Sequence, residues 1–211
     1  MRYLRMISSI NHWDKNKMDL YPNCFSTGDI LFSELKTEKN TLSIWGFNDD
    51  TEIDDLVVAI ALSRQHIQKL VYVIMDEEKI NKLGIPLVPE RGYADGMVNE
   101  AILNKHVNLA KIDFWRLGYV ADYLCDLVKE DNTHNTVTEK RLFALIKDSV
   151  NAGTVVVDQM SDAMRTSYQN HLKEEAEKAA RAAARNVKKK QMPKLPEGNC
   201  QGQVHGVQLR H

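Results

Sequence analysis

Cysteine is scarce in this sequence, and no long apolar run interrupts its polar residues. The 211 residues include three cysteines, Cys24, Cys125 and Cys200, which lie far apart and form no C-x-x-C pair. An odd number of separated cysteines excludes a disulfide framework and a cysteine-rich zinc site. No apolar stretch approaches the roughly 18 residues that span a membrane, and the N-terminal residues do not resemble a secretory signal. We therefore expect a cytoplasmic protein that does not enter a membrane.

The motifs that identify common enzyme classes are also absent. The sequence contains no P-loop, no G-x-G-x-x-G turn, no G-x-S-x-G elbow and no H-E-x-x-H helix. Cys24 has no recognisable base nearby that would activate it as a nucleophile, and Cys125 lies in an apolar run typical of a buried thiol. Nucleotide-dependent and serine-hydrolase activities are therefore disfavoured, and any catalytic role depends on individual residues.

Charge, by contrast, is present in quantity and is unevenly distributed. Residues 1–170 contain 19 Lys and Arg against 25 Asp and Glu, whereas residues 171–211 contain 9 against 4. This polarity predicts an acidic folded body with a basic C-terminal arm. We expect an α/β domain over residues 1–159, an extended amphipathic helix with a basic end over 160–190, and a disordered tail over 191–211.

The apolar pattern predicts a mixed α/β fold with flanking helices. Residues 41–47 alternate as a strand does, residues 69–75 form a β-branched run, and an amphipathic helix lies between them. Such a strand–helix–strand unit favours a parallel crossover, so we expect a small sheet of about three to five strands, at least partly parallel. A first strand is predicted near the N-terminus and a last one over 154–157. The segment 97–129 has the apolar spacing of one long helix.

Three of the predicted strands run into aspartates at their C-terminal ends, namely Asp49, Asp76 and Asp158. Ligands of open parallel sheets bind at that edge, and carboxylates are oxygen ligands that Mg²⁺ prefers. If the three side chains converge, they are candidate metal ligands and catalytic residues of a Mg²⁺-dependent nuclease or phosphoesterase. The alternative is that they cap helices and start turns, which the same positions also favour.

A second candidate site lies on the predicted long helix. His106 and Asp113 fall two turns apart on its apolar face, where a carboxylate must be paired or take up a proton. One interpretation is that both line a pocket as catalytic residues. The other is that Asp113 pairs with Arg116 at a helix contact while His106 bonds to the backbone.

The C-terminal helix offers a different kind of binding surface. Its cations, Arg181, Arg185, Lys188, Lys189 and Lys190, are spaced to neutralise the phosphates of a nucleic acid. Its alanine-rich seam could instead pair with a partner helix or with a second copy of the chain. A solvated helix without a partner is the third alternative. Two glutamates precede basic residues by four positions, which favours ion pairs along the helix.

Together these observations favour a non-catalytic interaction protein of the accessory or immunity type. It would bind a protein partner through its acidic surface or its C-terminal helix, and it would need no cofactor. An acidic surface accelerates association with a basic partner. The alternative is the Mg²⁺-dependent nuclease or phosphoesterase, in which the basic arm would hold a polyanionic substrate. A third alternative is nucleic-acid binding through the arm alone.

Overall fold

A six-stranded sheet forms the centre of the computed structural model, which describes residues 1–13 and 34–191. The strands are β1 (Arg2–Ile7), β2 (Leu42–Phe47), β3 (Leu70–Asp76), β4 (Leu87–Pro89), β5 (His106–Leu109) and β6 (His134–Val137). Their order in the sheet is β4–β5–β2–β1–β3–β6, and all five neighbouring pairs are antiparallel. Cys24, Cys200 and the predicted tail beyond residue 191 lie outside the described residues.

The prediction of a smaller and at least partly parallel sheet is wrong. β2 and β3 do run in the same direction, as the strand–helix–strand pattern indicates. However, β1 lies between them and pairs antiparallel with both, so that Arg2 is opposite Phe47 on one side and Asp76 on the other. Local periodicity identifies strands, but it contains no information about an N-terminal strand that inserts between two later ones.

The described residues form six α-helices. They are α1 (Ile53–Leu62), α2 (Glu77–Lys82), α3 (Glu100–Leu103), α4 (Phe114–Lys129), α5 (Glu139–Asn151) and α6 (Asp162–Gln191). Helix α1 packs against β1, α3 and α5, whereas α2 and α4 pack against β3. None of the helices in these ranges combines the length and the hydrophobicity needed to cross a bilayer.

Helix α4 closes the main core over one face of the sheet. Ile44 and Val73 of two different strands are fully buried beside Val120, Leu124 and Cys125 of α4. The buried position of Cys125 confirms the expectation of a buried thiol. Burial of a single aliphatic side chain of this kind contributes about 1.5–3 kcal/mol.

The prediction of one long helix over residues 97–129 is wrong. Helix α3 ends at Leu103, β5 follows, and α4 begins only at Phe114. Asp113 separates the strand from the helix, because its side chain accepts a hydrogen bond from the amide of Arg116 and caps α4. A strand of four residues is too short for its period to be distinguished from that of a helix.

The chain divides into two compact units, Met1–His171 and Leu172–His211, of which the second is described over residues 172–191. In the first unit, Ser161 accepts a hydrogen bond from the amide of Met164 and caps α6. In the second, the side chains of residues 172–185 are largely exposed. Glu174 pairs with Lys178 at 3.2 Å and Glu177 with Arg181 at 3.6 Å, as the spacing predicts.

Candidate functional site

Two of the three strand-end aspartates belong to the same edge of the sheet, where β2 and β3 end on either side of the start of β1. Arg2 of β1 occupies this edge. It forms a 2.7 Å ion pair with Asp50, and its guanidinium lies 4.7 Å from the centre of the Phe47 ring. A cation of the protein itself therefore already neutralises part of the negative charge near the ends of these strands.

Asp49 and Asp76 both act as helix caps. Asp49 Oδ1 accepts a 3.0 Å hydrogen bond from the amide of Thr51, and this bonding lowers the pKa of Asp49. Asp76 Oδ1 accepts from the amides of Glu78 and Lys79, at 2.8 and 3.3 Å, at the start of α2. These two side chains therefore cap helices, which is the alternative to metal binding.

Asp158 is not on the sheet. The predicted strand over 154–157 forms only an isolated bridge between Val155 and Met97, and Asp158 lies in the following 3₁₀ turn, Val157–Gln159. Across residues 1–13 and 34–191, no three His, Cys, Asp or Glu side chains are grouped in a way that could hold a metal ion. The geometry therefore gives no support to a Mg²⁺ site built from Asp49, Asp76 and Asp158.

His106 and Asp113 do not share a helix face. His106 lies in β5 and is 9% exposed; its Nδ1 is 3.0 Å from the carbonyl oxygen of Glu90, and its ring meets Trp45 edge to face. Asp113 is exposed at the start of α4 and forms a 2.8 Å ion pair with Arg116. These contacts fit the interpretation in which Asp113 pairs with Arg116 and His106 bonds to the backbone. The ion pair lies at the surface, however, and not at the expected helix contact.

Among the cations predicted to bind a partner, Arg181 and Arg185 are exposed on α6, and Arg181 lies 3.6 Å from Glu177. Lys188, Lys189 and Lys190 belong to the same helix, but their side chains are not described. Binding by these five residues stays a prediction.

The sequence analysis missed three exposed aromatic side chains at the start of α4. Phe114, Trp115 and Tyr119 are 81, 73 and 51% exposed. The rings of Phe114 and Trp115 meet edge to face, with 6.0 Å between their centres. We call these three residues the aromatic surface. Scattered exposed apolar side chains are common in proteins, whereas a contiguous group of large ones marks a binding surface.

Helix geometry explains why these rings lie outside the core. The buried side of α4 is formed by residues such as Val120, Leu124 and Leu127. Trp115 and Tyr119 follow a stripe at i, i+4 spacing on another side of the helix, and Asp122 continues that stripe three residues later. The same spacing holds in the helix predicted over 97–129, so the sequence contained this stripe, but it did not show that the stripe lies outside the core.

A cavity of about 270 Å³ lies beside the aromatic surface, between α2 and α4. It is lined by Lys79, Lys82 and Leu83 from the end of α2, and by Tyr119, Asp122, Tyr123 and Asp126 from α4. The ammonium group of Lys79 lies 5.6 Å from the centre of the Tyr123 ring. Four of the seven lining residues are charged, but most of the surface that the cavity exposes is apolar.

The polar groups of this cavity leave an acceptor unsatisfied. Lys79 pairs with Glu130 at 3.5 Å and Lys82 with Glu78 at 2.7 Å. Asp122 Oδ1, in contrast, is buried and has no hydrogen-bond donor in the described structure. An unsatisfied buried acceptor costs about 1–3 kcal/mol. Because this oxygen has almost no accessible surface, an occupant of the cavity meets Asp122 and Asp126 as negative charge, which favours a cationic group next to apolar surface.

Comparison with known proteins leaves the function to be argued from these residues. No protein-family model, curated protein sequence or solved structure matches the chain.

Proposed function

We propose that this protein is a non-catalytic interaction protein that binds a protein partner through the aromatic surface of α4 and the adjoining cavity. The observation that carries the proposal is the exposure of Phe114, Trp115 and Tyr119 on one short stretch of helix. Aromatic side chains are among the main sources of binding energy in interfaces. Burying each of these rings contributes about 1.5–3 kcal/mol, so two or three of them can support a specific complex.

The chemistry of the surface defines the partner that it fits. The rings require apolar side chains, and the negative charge of Asp122 and Asp126 beside the cavity favours a cationic group. Because both lysines of the cavity are already paired with glutamates, the added charge that complements Asp122 is positive. The partner therefore presents a segment in which an arginine or lysine stands beside an apolar anchor. This location differs from the C-terminal helix, which the sequence analysis considered as the docking element.

Peptide selection tests this proposal without knowledge of the partner. Peptides from a random display library are selected on the full chain, and their affinities are measured by fluorescence polarisation. We expect the selected peptides to combine an apolar anchor with a basic residue. Trp115→Ala should weaken their binding about tenfold or more, which corresponds to about 1.4 kcal/mol, and Asp122→Asn should weaken mainly the basic peptides.

Tyr93→Ala is the matched control, because Tyr93 is as exposed as Trp115 but lies elsewhere. It should leave the affinity of the selected peptides unchanged. The intrinsic fluorescence gives a second readout, since Trp13 and Trp45 are buried and only Trp115 is accessible to iodide. Bound peptide should protect Trp115 from quenching. The proposal is wrong if no peptide binds, if Trp115→Ala binds the selected peptides as tightly, or if the surface proves to be occupied by a second copy of the chain.

A further inference from the structure

A second cavity, different in chemistry from the aromatic surface, opens above the ends of β2 and β5. Its volume is about 500 Å³, and the residues that line it are mostly polar. The charged groups around it are Arg5, Lys36, Lys39, Arg91, Glu38 and Glu90. Ser43 and Asn108, which are paired in the β2–β5 ladder, contribute neutral polar groups.

Close backbone packing holds one wall of this cavity in place. A Cβ atom on Gly92 would lie 2.5 Å from Cη2 of Trp45 and 2.8 Å from Cβ of His106, so the chain can pass here only as glycine. The amide of Gly92 donates to the carbonyl oxygen of Leu103 at 2.8 Å, and the amide of Glu90 donates to the carbonyl oxygen of His106 at 3.3 Å. Segment 90–93 is thereby fixed against the sheet.

Arg5 provides a further cation of the cavity lining. The ladder between β1 and β2 pairs residues 2–4 with residues 45–47 and ends there. Beyond it, the Arg5 guanidinium donates to the carbonyl oxygens of Ser43, at 2.7 Å, and Glu34, at 3.1 Å. Its Nε is buried and has no acceptor in the described structure. Burial lowers the pKa of Arg5 to about 10, while Glu34 opposes this shift, so the group keeps its charge at neutral pH.

The remaining charges leave two further cations available. Arg91 is held by Glu100 at 2.6 Å, and Glu90 accepts a hydrogen bond from the side-chain amide of Asn108. Lys36 and Lys39 are both exposed, and neither has an ion-pair partner within residues 1–13 and 34–191. Glu38 also lines the cavity, and no ion pair involves it among the described residues. With Arg91 paired to Glu100, the cations Arg5, Lys36 and Lys39 of the lining still exceed the carboxylates Glu38 and Glu90 by one, so the site favours an anion.

We propose that this cavity binds a phosphorylated sugar, free or as part of a nucleotide, with Arg5, Lys36 and Lys39 around the phosphate. The cavity is of the size that small-molecule sites have. The hydroxyl of Ser43 and the carboxylate of Glu90 suit the hydroxyl groups of a sugar, which both donate and accept. The site does not depend on partner binding at α4, and its residues belong to other elements.

Calorimetric titration of the full chain at low ionic strength tests the site. The probes are ribose 5-phosphate, adenosine monophosphate, inorganic phosphate and ribose. We expect at least one of the two phosphorylated probes to bind more tightly than inorganic phosphate, and ribose not to bind. The stronger of the two shows whether the sugar phosphate is accepted alone or as part of a nucleotide.

Two double variants separate a specific site from general electrostatic attraction. Lys36→Gln with Lys39→Gln should weaken binding of the preferred probe about tenfold or more. Lys129→Gln with Lys140→Gln removes the same charge from exposed positions away from the cavity and should change affinity less than about twofold. The inference is overturned if neither phosphorylated probe binds at millimolar concentration, if ribose binds as tightly as they do, or if both double variants weaken binding equally.

Discussion

Two glycine-to-alanine substitutions should change stability in opposite directions, although their chemistry is identical. In Gly92→Ala, the new methyl group would stand 2.5 Å from the buried ring of Trp45 and 2.8 Å from Cβ of His106. Neither neighbour can move freely, because the two rings are packed against each other with 5.1 Å between their centres. Overpacking of this kind costs about 1–3 kcal/mol. At Gly118, in the interior of α4, a Cβ would have no neighbouring atom within 4 Å beyond the adjacent helix backbone.

Gly118→Ala should therefore stabilise the protein by about 0.5–1 kcal/mol, because alanine restricts the unfolded chain and favours the helix. Circular dichroism during thermal and urea denaturation measures both effects. In a domain of this size, each kcal/mol corresponds to about 2–4 °C in Tm. Gly92→Ala should lower the Tm, and Gly118→Ala should raise it slightly. The packing described for segment 90–93 is refuted if neither variant destabilises the protein, or if both destabilise it to the same extent.

Two further predictions concern carboxylates near the ends of the strands. Asp76→Ala removes the cap of α2 and should lower the free energy of unfolding, measured by urea denaturation, by about 0.5–2 kcal/mol. Asp76→Asn should lower it less, because the amide oxygen can still accept the hydrogen bond. Equal losses in the two variants would contradict the capping role. The pKa of Glu52 is lowered, chiefly by its hydrogen bond to Lys105. The stability it contributes is complete above its unfolded pKa of about 4.3 and is lost as pH falls through the lower folded value. In Glu52→Gln, the free energy of unfolding should therefore decrease less between about pH 5 and pH 3 than in the unmodified protein. The same pH dependence in both proteins would contradict this.

Features that depend on neighbouring residues were predictable. The β-branched run of β3, the alternation of β2 and the amphipathic pattern of α1 all appear as elements in the structure. Ser161 caps α6, and Cys125 is buried, as their residue types and surroundings indicate. Each of these outcomes follows from contacts within about one or two helical turns or from simple burial, for which local composition is sufficient.

The short strands were not predictable, because their stability comes from distant partners. β4, β5 and β6 have three or four residues each, too few for a period. Leu109 of β5 is held between Leu42 and Leu87, which come from other parts of the chain. Because β5 interrupts the expected long helix, His106 lies in the sheet and Asp113 caps a helix. The two residues therefore do not share the helix face on which the predicted pocket depended.

The amino-acid sequence by itself determined the local elements, the caps and the uneven distribution of charge, since these reflect propensities and contacts of adjacent residues. Only the tertiary structure decided that β1 separates β2 from β3, that Trp115 faces outward, and that Lys36 and Arg5 line the same cavity. The physical reason is that strand pairing and cavities are made by residues far apart in the chain. Their arrangement depends on the free energy of the whole packed core, which no short segment determines alone.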